Sequence, residues 1–401
     1  MLHNPSCVIA AALFVLPTIA LAAEPSSVRA CPPSNTWTTG PDEEAGFVRA
    51  EGALAPIPAA GPFQVPWSFA RLPDGSFLVT ERPGHLQHAR LNADTIAVRN
   101  TPNVLYKGHG GLLDIAVDPE FEDNRLIFLS YLQGEETAST IRVLRATFDQ
   151  DQDALMDVAV IFEGSPGLRP EQIGGRLALT GDGYLFISLG DRWDGARAQD
   201  LSDTAGSIAR IRTDGTVPDD NPFVTEPGAR PEIWSYGHRN PQGLAYDRAT
   251  GLLWSDEHGP QGGDELNLIR RGVNYGWPMA TFGTGYEGQS LGVNSRQPGT
   301  ELPVHYWVPL SVAPSSLAVE TRPISTEIWI GTLAGEMLVQ LTLADNCVLR
   351  EQRLLKRQLG RIRDVRADPS GAVYVLTDGG QGMLYRIELP ESEIMQGSGP
   401  Y

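Results

Sequence analysis

Six times along this 401-residue chain, a short hydrophobic run leads into a turn and a second β-rich run follows it. The first runs are residues 67–72, 113–117, 177–179, 244–246, 316–319 and 365–367. The second runs are residues 77–80, 126–130, 184–188, 252–255, 328–331 and 373–376. Because one strand pair cannot bury its apolar face alone, a unit repeated at intervals of roughly 45 to 75 residues predicts radial stacking of sheets. The sequence therefore predicts an all-β fold, a six-bladed β-propeller, although strand–turn–strand units also occur in other all-β proteins.

A repeat array of this kind forms one closed domain, and no Ser/Gly-rich linker divides the chain. We expect the propeller in residues 61–390, an N-terminal extension in residues 23–60 and a polar tail in residues 391–401. The formal net charge of −18 argues against a nucleic-acid partner or an anionic membrane surface, because phosphate binding requires clustered Lys and Arg.

The N-terminus has the pattern of a secretory signal. Residues 7–22 are almost wholly apolar and end in Ala20-Leu21-Ala22, a cleavage pattern of the A-x-A type. The segment before the apolar run has His3 but no Lys or Arg, so a retained membrane anchor stays open as the alternative. We expect residues 1–22 to be removed and the mature chain to be periplasmic or secreted, with no membrane attachment. Its two cysteines, Cys31 and Cys347, then form one disulfide or remain two free thiols.

Three dense polar segments, residues 234–243, 256–265 and 274–278, mark the predicted functional region. In a propeller such segments lie in loops at one mouth of the central channel. Clustered Arg, Asn, Asp and Glu carry a desolvation cost that packing alone does not explain. Oxygen donors without an organised set of Cys and His favour a hard cation such as Ca²⁺ over zinc. The alternative for any single residue is an ordinary turn or a salt bridge between blades.

A series of short motifs follows in order between about residues 66 and 387. They are Gly110-Gly111-Leu112-Leu113-Asp114, Gly174-Gly175-Arg176-Leu177, Ala198-Gln199-Asp200-Leu201, Pro218-Asp219-Asp220-Asn221-Pro222-Phe223, the three polar segments, Val312-Ala313-Pro314-Ser315-Ser316 and Arg361-Ile362-Arg363-Asp364-Val365. Through these motifs the chain resembles the soluble pyrroloquinoline quinone (PQQ)-dependent aldose sugar dehydrogenases, also called the glucose/sorbosone dehydrogenase family. The resemblance implies a six-bladed propeller that binds PQQ and Ca²⁺ over its channel and oxidises the anomeric carbon of an aldose to a lactone.

The resemblance also implies which residues bind the cofactor. Arg239, Arg361 and Arg363 match the family's cofactor-binding cations, with Asn240 beside the first of them. Guanidinium groups suit the three carboxylates of PQQ because each can bind a carboxylate bidentately. Tyr286 matches a family position whose aromatic ring contacts the cofactor. The alternative role for Tyr286 is ordinary side-chain packing.

Two calcium sites follow from the same resemblance. The backbone carbonyls of Gly259 and Pro260 match the ligands of the cofactor-bound Ca²⁺, which acts as a Lewis acid on the quinone. Glu265 and the carbonyl of Tyr275 match a second, structural Ca²⁺ site.

Three positions depart from the family pattern. The family has its general base, a His, four residues before the Arg of the Gly-Arg-Leu turn, and here that position is Gln172. A cofactor-binding Gln of the family is replaced by His109, and a Lys that pairs with the cofactor is replaced by Ala334. Glutamine cannot accept a proton at neutral pH, and loss of a general base costs about 10²- to 10⁴-fold in rate.

The exchange of His and Gln suggests a hypothesis for the missing base. His109 could remove the sugar proton from the other side of the substrate, or Glu171, next to Gln172, could do so. The alternative for His109 is a hydrogen-bonding residue in a Gly-rich turn.

Three functions are therefore considered. The first is a periplasmic PQQ- and Ca²⁺-dependent aldose dehydrogenase that passes electrons to an external acceptor. The second is a catalytically degenerate Ca²⁺-binding propeller that holds a small carboxylated or sugar ligand without turnover. The third is a Ca²⁺-dependent lactone hydrolase on a similar scaffold, since fold alone does not decide function. Convergence of Arg239, Arg361 and Arg363 on one channel mouth favours a polycarboxylate cofactor over the other readings.

Overall fold

The computed structural model describes residues 34–37, 54–90, 93–291, 293–368 and 371–388. The predicted signal segment, residues 1–22, and the predicted tail, residues 391–401, lie outside these ranges. Across the described ranges, no helix has the length and apolar character that crossing a membrane requires. Cys347 is disulfide-bonded, and Cys31 lies outside the described residues.

Six antiparallel sheets of four strands form the fold, and one of them gains a fifth strand. From the inner to the outer edge, the first sheet is β3 (Pro66–Arg71), β4 (Phe77–Glu81), β5 (His85–Ala89) and β6 (Ile96–Ala97). The second is β7 (Leu112–Val117), β8 (Leu126–Glu135), β9 (Ala138–Asp149) and β10 (Ala154–Glu163). The third is β11 (Gly174–Leu179), β12 (Tyr184–Leu189), β13 (Ser207–Arg212) and β14 (Ile233–Tyr236).

The remaining sheets follow the same order. They are β15 (Pro241–Asp247), β16 (Leu252–Glu257), β17 (Asp264–Ile269), β18 (His305–Val308) and β1 (Ser34–Trp37); β19 (Pro314–Thr321), β20 (Thr326–Thr332), β21 (Leu338–Ala344) and β22 (Cys347–Leu354); and β23 (Ile362–Ala367), β24 (Val373–Thr377), β25 (Gly382–Glu388) and β2 (Ala55–Phe63). The fold is a six-bladed β-propeller, as the sequence predicts.

Each of the six sequence repeats corresponds to the inner and second strand of one blade. The inner strands contact one another in chain order, and β23 contacts β3, which closes the ring. β2 pairs with β25 at the outer edge of the last blade, so that an N-terminal strand completes the C-terminal blade. This strand begins within the residues expected to form an N-terminal extension. Closure leaves only short sheet edges exposed to unwanted pairing.

Hydrophobic clusters fill the space between neighbouring blades. One cluster, for example, packs Leu113 and Phe128 of the second blade against Leu177 and Ile187 of the third. Helical structure is minor in the described part of the chain: one α-helical turn, α1 (Phe121–Asn124), and a 3₁₀ turn at Gly195–Gln199.

Every inner strand contains a β-bulge near its beginning, since the pairing register shifts there in all six blades. Just after these bulges, four inner strands contribute side chains to a buried ionic network. Arg176 pairs with Asp114 at 3.2 Å and with Asp364 at 2.9 Å, and the Ser68 hydroxyl lies within hydrogen-bond distance of both carboxylates. Bulges re-aim side chains and are frequent beside active sites. Here they lie where the inner strands emerge from the loops of the channel mouth.

Candidate active site

A cavity of about 540 Å³ opens among the loops at one mouth of the propeller. Its walls combine guanidinium, amide, imidazole and aromatic groups with backbone carbonyls. The lining residues are His109, Gln172, Trp193, Arg239, Asn240, His258, Gly259, Pro260, Gln261, Tyr286 and Ser311. His109, Gln172, Arg239, Asn240 and Tyr286, which the sequence analysis selected for the cofactor and the base, are thus brought together from three segments that connect blades and one loop within the fourth blade.

Arg239 is the buried cation of this cavity. Its Nη1 donates to the carbonyls of His258 at 3.1 Å and Gly259 at 2.6 Å, and its Nη2 donates to the Tyr286 hydroxyl at 2.9 Å. Its guanidinium also lies 5.3 Å from the ring centre of Trp277. Asn240 follows it, and the Asn240 Oδ1 accepts from the backbone N–H of Gly174 at 3.3 Å. The arrangement fixes Arg239 from several sides.

A second group of arginines adjoins the cavity. Arg361 and Arg363 share one carboxylate, Asp378, at 3.0 and 3.3 Å. Burial lowers the pKa of Arg363, although Asp378 opposes this effect. Burial acts against ionisation of Asp378, but Arg363 and Arg361 outweigh it and hold the pKa of this carboxyl below its ordinary value. Arg82 completes the group, and burial lowers its pKa.

Arg82 was not selected by the sequence analysis. Its guanidinium donates to the carbonyls of Gly108 and Gly110. Glycine is required at position 111, with φ +135°, because a Cβ there would lie 2.1 Å from the carbonyl oxygen of Arg82. The Gly-Gly turn therefore lets the His109 loop approach the turn after β4 that carries Arg82.

His109 lies between these cations with its ring open to the cavity. Its enclosure, followed by the charges of Arg82, Arg363 and Arg239, lowers the pKa of His109 to about 4. The ring is partly exposed to water, which weakens the effect of burial. The three guanidinium charges still lower the pKa of His109. His109 Nδ1 accepts the backbone N–H of Gln172 at 3.1 Å. The neutral ring must then carry its proton on Nε2. This geometry makes His109 a hydrogen-bond donor toward the cavity and disfavours the hypothesis that it is the base.

Gln172 has a strained and fully engaged geometry. It is buried, and its backbone has a φ of +45°, in the left-handed region that non-glycine residues rarely adopt. In the amide orientation that its neighbours require, Nε2 donates to Asp191 Oδ1, and Oε1 accepts from Arg239 Nη2 at 2.7 Å. Gln172 therefore links a carboxylate to a cofactor-site guanidinium.

Asp191 is one of the carboxylates that the sequence analysis did not select. Its Oδ1 accepts from the backbone N–H of Trp193 at 2.9 Å, and its Oδ2 accepts from Trp277 Nε1 at 2.8 Å. Burial raises the pKa of Asp191 to about 6, against the lowering effects of these hydrogen bonds and of Arg239. A carboxylate with a raised pKa beside a cavity is a candidate acid or base. In the sequence, Asp191 follows Gly190 in an ordinary turn pattern, and nothing local distinguishes it from other Asp residues in turns.

The remaining candidates for base and cofactor binding lie outside the cavity lining. Glu171 Oε1 packs against Gly108, and its charge acts on Arg192. Ala334 is exposed, and its backbone N–H donates to the carbonyl of Val312. Its neighbour Leu333 accepts from Arg361 Nη1 through its carbonyl at 3.4 Å.

Gly259 and Pro260 present their backbone to the cavity. A Cβ on Gly259 would lie 2.3 Å from the carbonyl oxygen of Gly263, so only glycine fits the turn. The described residues hold no group of three or more His, Cys, Asp and Glu side chains suited to a metal ion. A cation at Gly259 and Pro260 would therefore depend on carbonyl oxygens and on oxygens of a bound ligand.

A smaller cavity adjoins the first, and Arg239 lines both of them. Glu257, Glu265 and Tyr275 are among its lining residues. Asn267 Nδ2 donates to both carboxylates, at 3.0 Å for Glu257 and 3.2 Å for Glu265. Burial, followed by repulsion from Glu257, raises the pKa of Glu265 well above its ordinary value. Two carboxylates facing one small cavity suit a hard cation. The sequence analysis selected Glu265 for such a site but not Glu257.

Comparison with known proteins places this geometry in context. The sequence model described as Glucose / Sorbosone dehydrogenase matches residues 63–386. The aldose sugar dehydrogenase YliI of Escherichia coli (strain K12) is 39% identical over 332 residues, which cover 80% of this chain and 89% of YliI.

Two solved structures are also similar to this chain. The apo-form of the soluble aldose sugar dehydrogenase of Escherichia coli superposes with a TM-score of 0.78 at 36% identity and covers 84% of this chain and 99% of its own. The PQQ-bound form of an aldose sugar dehydrogenase from Streptomyces coelicolor superposes with a TM-score of 0.70 at 28% identity and covers 84% of this chain and 98% of its own.

Proposed function

The chain belongs to the glucose/sorbosone dehydrogenase family, and on that premise we propose that it oxidises aldose sugars to lactones with PQQ and Ca²⁺. The electrons pass to an external acceptor, and the N-terminal signal pattern supports a periplasmic or secreted location. The substrate is a neutral small molecule, in keeping with a net charge of −18 that argues against a nucleic-acid or anionic membrane partner.

The guanidinium cluster carries this proposal. Arg82, Arg239 and Arg363 all act on the ring of His109, and Arg361 shares Asp378 with Arg363. Asp378 is the carboxylate that pairs with Arg361 and Arg363, and four guanidinium groups therefore gather on the His109 side of the cavity although the whole chain carries −18. An excess of guanidinium groups around a cavity fits a ligand with several carboxylates. This donor set fits PQQ.

Other lining groups suit the rest of the cofactor. The carbonyls of Gly259 and Pro260 would hold its Ca²⁺, and the Nε2–H of His109 would donate to an oxygen of the cofactor, in place of the amide donor of the family Gln. Tyr286, hydrogen-bonded to Arg239, offers an aromatic surface to a flat ring system. When bound, the quinone supplies the hydride acceptor, and its Ca²⁺ acts as the Lewis acid.

We assign the proton acceptor to Asp191. Gln172 has no basic group, and the cavity-facing nitrogen of neutral His109 is a donor. Asp191 is ionised above a pKa of about 6 and hydrogen-bonds to Gln172, which lines the cavity. Asp191 is buried and does not itself line the cavity, so the proton of the anomeric hydroxyl would reach it by way of a bridging water, which general-base catalysis permits. The hydrogen bonds from Trp193 and Trp277 hold its two oxygens in place.

The second cation site is proposed to be structural. Ca²⁺ bound between Glu257, Glu265 and the Tyr275 carbonyl would neutralise two carboxylates that otherwise repel each other. Glu257 also accepts the backbone N–H of Arg239 at 2.7 Å, so this site would stabilise the position of the cofactor-binding arginine.

The test is sugar-dependent reduction of an electron-accepting dye by purified protein reconstituted with PQQ and Ca²⁺. We expect turnover that disappears when either PQQ or Ca²⁺ is omitted. Arg239→Gln is the matched variant, since it removes the central cation and keeps a polar side chain. Turnover that persists without PQQ would contradict the proposal.

A catalytically degenerate propeller is the second candidate, and Gln172 is the observation that favours it. Both ends of its amide are engaged, so it cannot replace the family's histidine as a base. In that case the protein would bind PQQ, measured by equilibrium titration, and show no turnover with any aldose.

A further inference from the structure

Trp193 has the most unusual combination of backbone and side chain at the cavity. It follows Arg192 in the turn after β12, and both residues have left-handed backbones, with φ of 59° and 63°. Bulky side chains rarely adopt this conformation, which costs on the order of 1–3 kcal/mol per residue and persists only when the surroundings enforce it. The indole is nevertheless 44% exposed. Packing therefore does not explain why the turn holds a tryptophan there.

Arg192 anchors the turn to the neighbouring segments that contain Ser139 and Arg169. Its buried guanidinium donates to the carbonyl of Ser139 at 3.1 Å, to the Ser139 hydroxyl at 2.7 Å and to the carbonyl of Arg169. Its backbone N–H donates to the carbonyl of Gln172 at 3.1 Å. The backbone N–H of Trp193 donates to Asp191. These contacts fix the turn that carries the indole before any ligand binds, which lowers the entropy cost of binding.

The indole faces an aromatic partner at the opening. Its ring centre lies 5.9 Å from that of Tyr286, which is 60% exposed, and 5.6 Å from the guanidinium of Arg239. Tyr286 is bound through its hydroxyl to Arg239, so it belongs to the wall proposed for the cofactor. Trp193 and Tyr286 both line the cavity, and both keep exposed surface at its opening. Exposed aromatic surface next to a cavity marks a binding surface.

We propose that Trp193 is a carbohydrate subsite that stacks on the pyranose ring next to the one being oxidised. The inference rests on the proposed function. A pyranose ring presents an apolar C–H face that suits the flat, amphipathic indole, and its hydroxyl groups remain in water at the open rim. The sugar that reacts must lie deeper, near the cofactor wall, so the rim holds the following ring. The preferred substrates are therefore reducing ends of oligosaccharides.

The test compares Trp193→Ala with Trp193→Phe in the reconstituted enzyme, using a disaccharide and its monosaccharide. Covering part of a roughly 250 Å² indole with a sugar face, at about 25 cal/mol per Å², corresponds to an affinity change of about tenfold. We expect Trp193→Ala to raise the ratio of disaccharide KM to monosaccharide KM about tenfold, and Trp193→Phe to restore most of it. Ile324→Ala, which removes an exposed side chain between β19 and β20, is the control that leaves this ratio unchanged.

A binding measurement separates this inference from the proposed function. A disaccharide reduced to its alditol has no free anomeric hydroxyl to oxidise, so its binding, followed by indole fluorescence and calorimetry, does not depend on turnover. We expect Trp193→Ala to weaken this binding about tenfold. Unchanged alditol binding, or an equal rise of both KM values, would overturn the subsite. Failure of the proposed function would instead appear as alditol binding without oxidation of any aldose.

Discussion

Replacement of Asp191 by Asn tests the assignment of the proton acceptor. The change keeps the size of the side chain and removes its charge. If Asp191 receives the proton, kcat/KM should fall about 10²- to 10⁴-fold at pH 8. The wild-type kcat/KM should rise with pH and level off above the pKa of about 6, because only ionised Asp191 accepts a proton. The variant should lose this limb of the profile.

The same substitution has a calculable effect on stability. Burial raises the pKa of Asp191 from 3.8 to about 6, which corresponds to about 3 kcal/mol at 1.36 kcal/mol per pH unit. Because the folded pKa is the higher one, wild type should lose stability relative to Asp191→Asn as pH rises from about 4 through about 6. Three donors, from Gln172, Trp193 and Trp277, meet the carboxylate. Asn leaves at least one of these donors unpaired at a cost of about 1–3 kcal/mol.

The two effects offset each other at neutral pH, so the variant should fold with an unfolding free energy within about 2 kcal/mol of wild type. Urea denaturation at pH 4 and pH 8, together with the pH profile of dye reduction, measures both quantities. A variant that keeps kcat/KM within tenfold of wild type, with the same pH limb, would refute the role of Asp191.

Three further predictions concern neighbouring groups. Gln172→His should raise kcat at least tenfold, because it places an imidazole beside Asp191 at a backbone conformation that His tolerates; an unchanged kcat would contradict this. Arg82→Met should weaken PQQ binding at least tenfold in equilibrium titration, by removing one cation from the cluster. Wild-type affinity in that variant would show that Arg82 serves only the loop of Gly108 and Gly110. Chelation of Ca²⁺ should lower Tm by several degrees in wild type and much less in Glu265→Gln, and equal shifts would argue against the structural cation site.

The fold could be predicted because its repeat is local. A hydrophobic run, a turn such as Pro73-Asp74-Gly75 and a second run specify one hairpin, and six such hairpins specify six blades. The completing strand Ala55–Phe63 could not be inferred in this way. It pairs with Gly382–Glu388 at the other end of the chain, and neither strand carries a local signal of that pairing.

The site could be predicted only in part, and the reason is similar. Arg239 and Gly259 stand in dense, characteristic motifs, Tyr286 matches a single family position, and the structure brings the three together around one cavity. Arg82 and Asp191 stand in ordinary turns, and their importance arises from neighbours far away in sequence. Asp191, for example, accepts a hydrogen bond of 2.8 Å from Trp277 Nε1, which belongs to the neighbouring blade.

The role of His109 shows a further limit of sequence reasoning. Exchange of His and Gln between positions 109 and 172 suggests a relocated base. The proton position on the ring, however, depends on the backbone N–H of Gln172, which donates to Nδ1 at 3.1 Å. A hydrogen bond between two loops, which no motif records, therefore decides whether His109 donates or accepts.

The most direct test of the central claim is the absorbance of PQQ bound to the reconstituted protein, followed under anaerobic conditions after a single aldose is added without any dye. This measurement needs no knowledge of the natural electron acceptor. The account predicts stoichiometric loss of the oxidised-quinone absorbance with lactone formation, and a much slower change in Asp191→Asn. A protein that binds PQQ tightly but shows no spectral change with any aldose would contradict it.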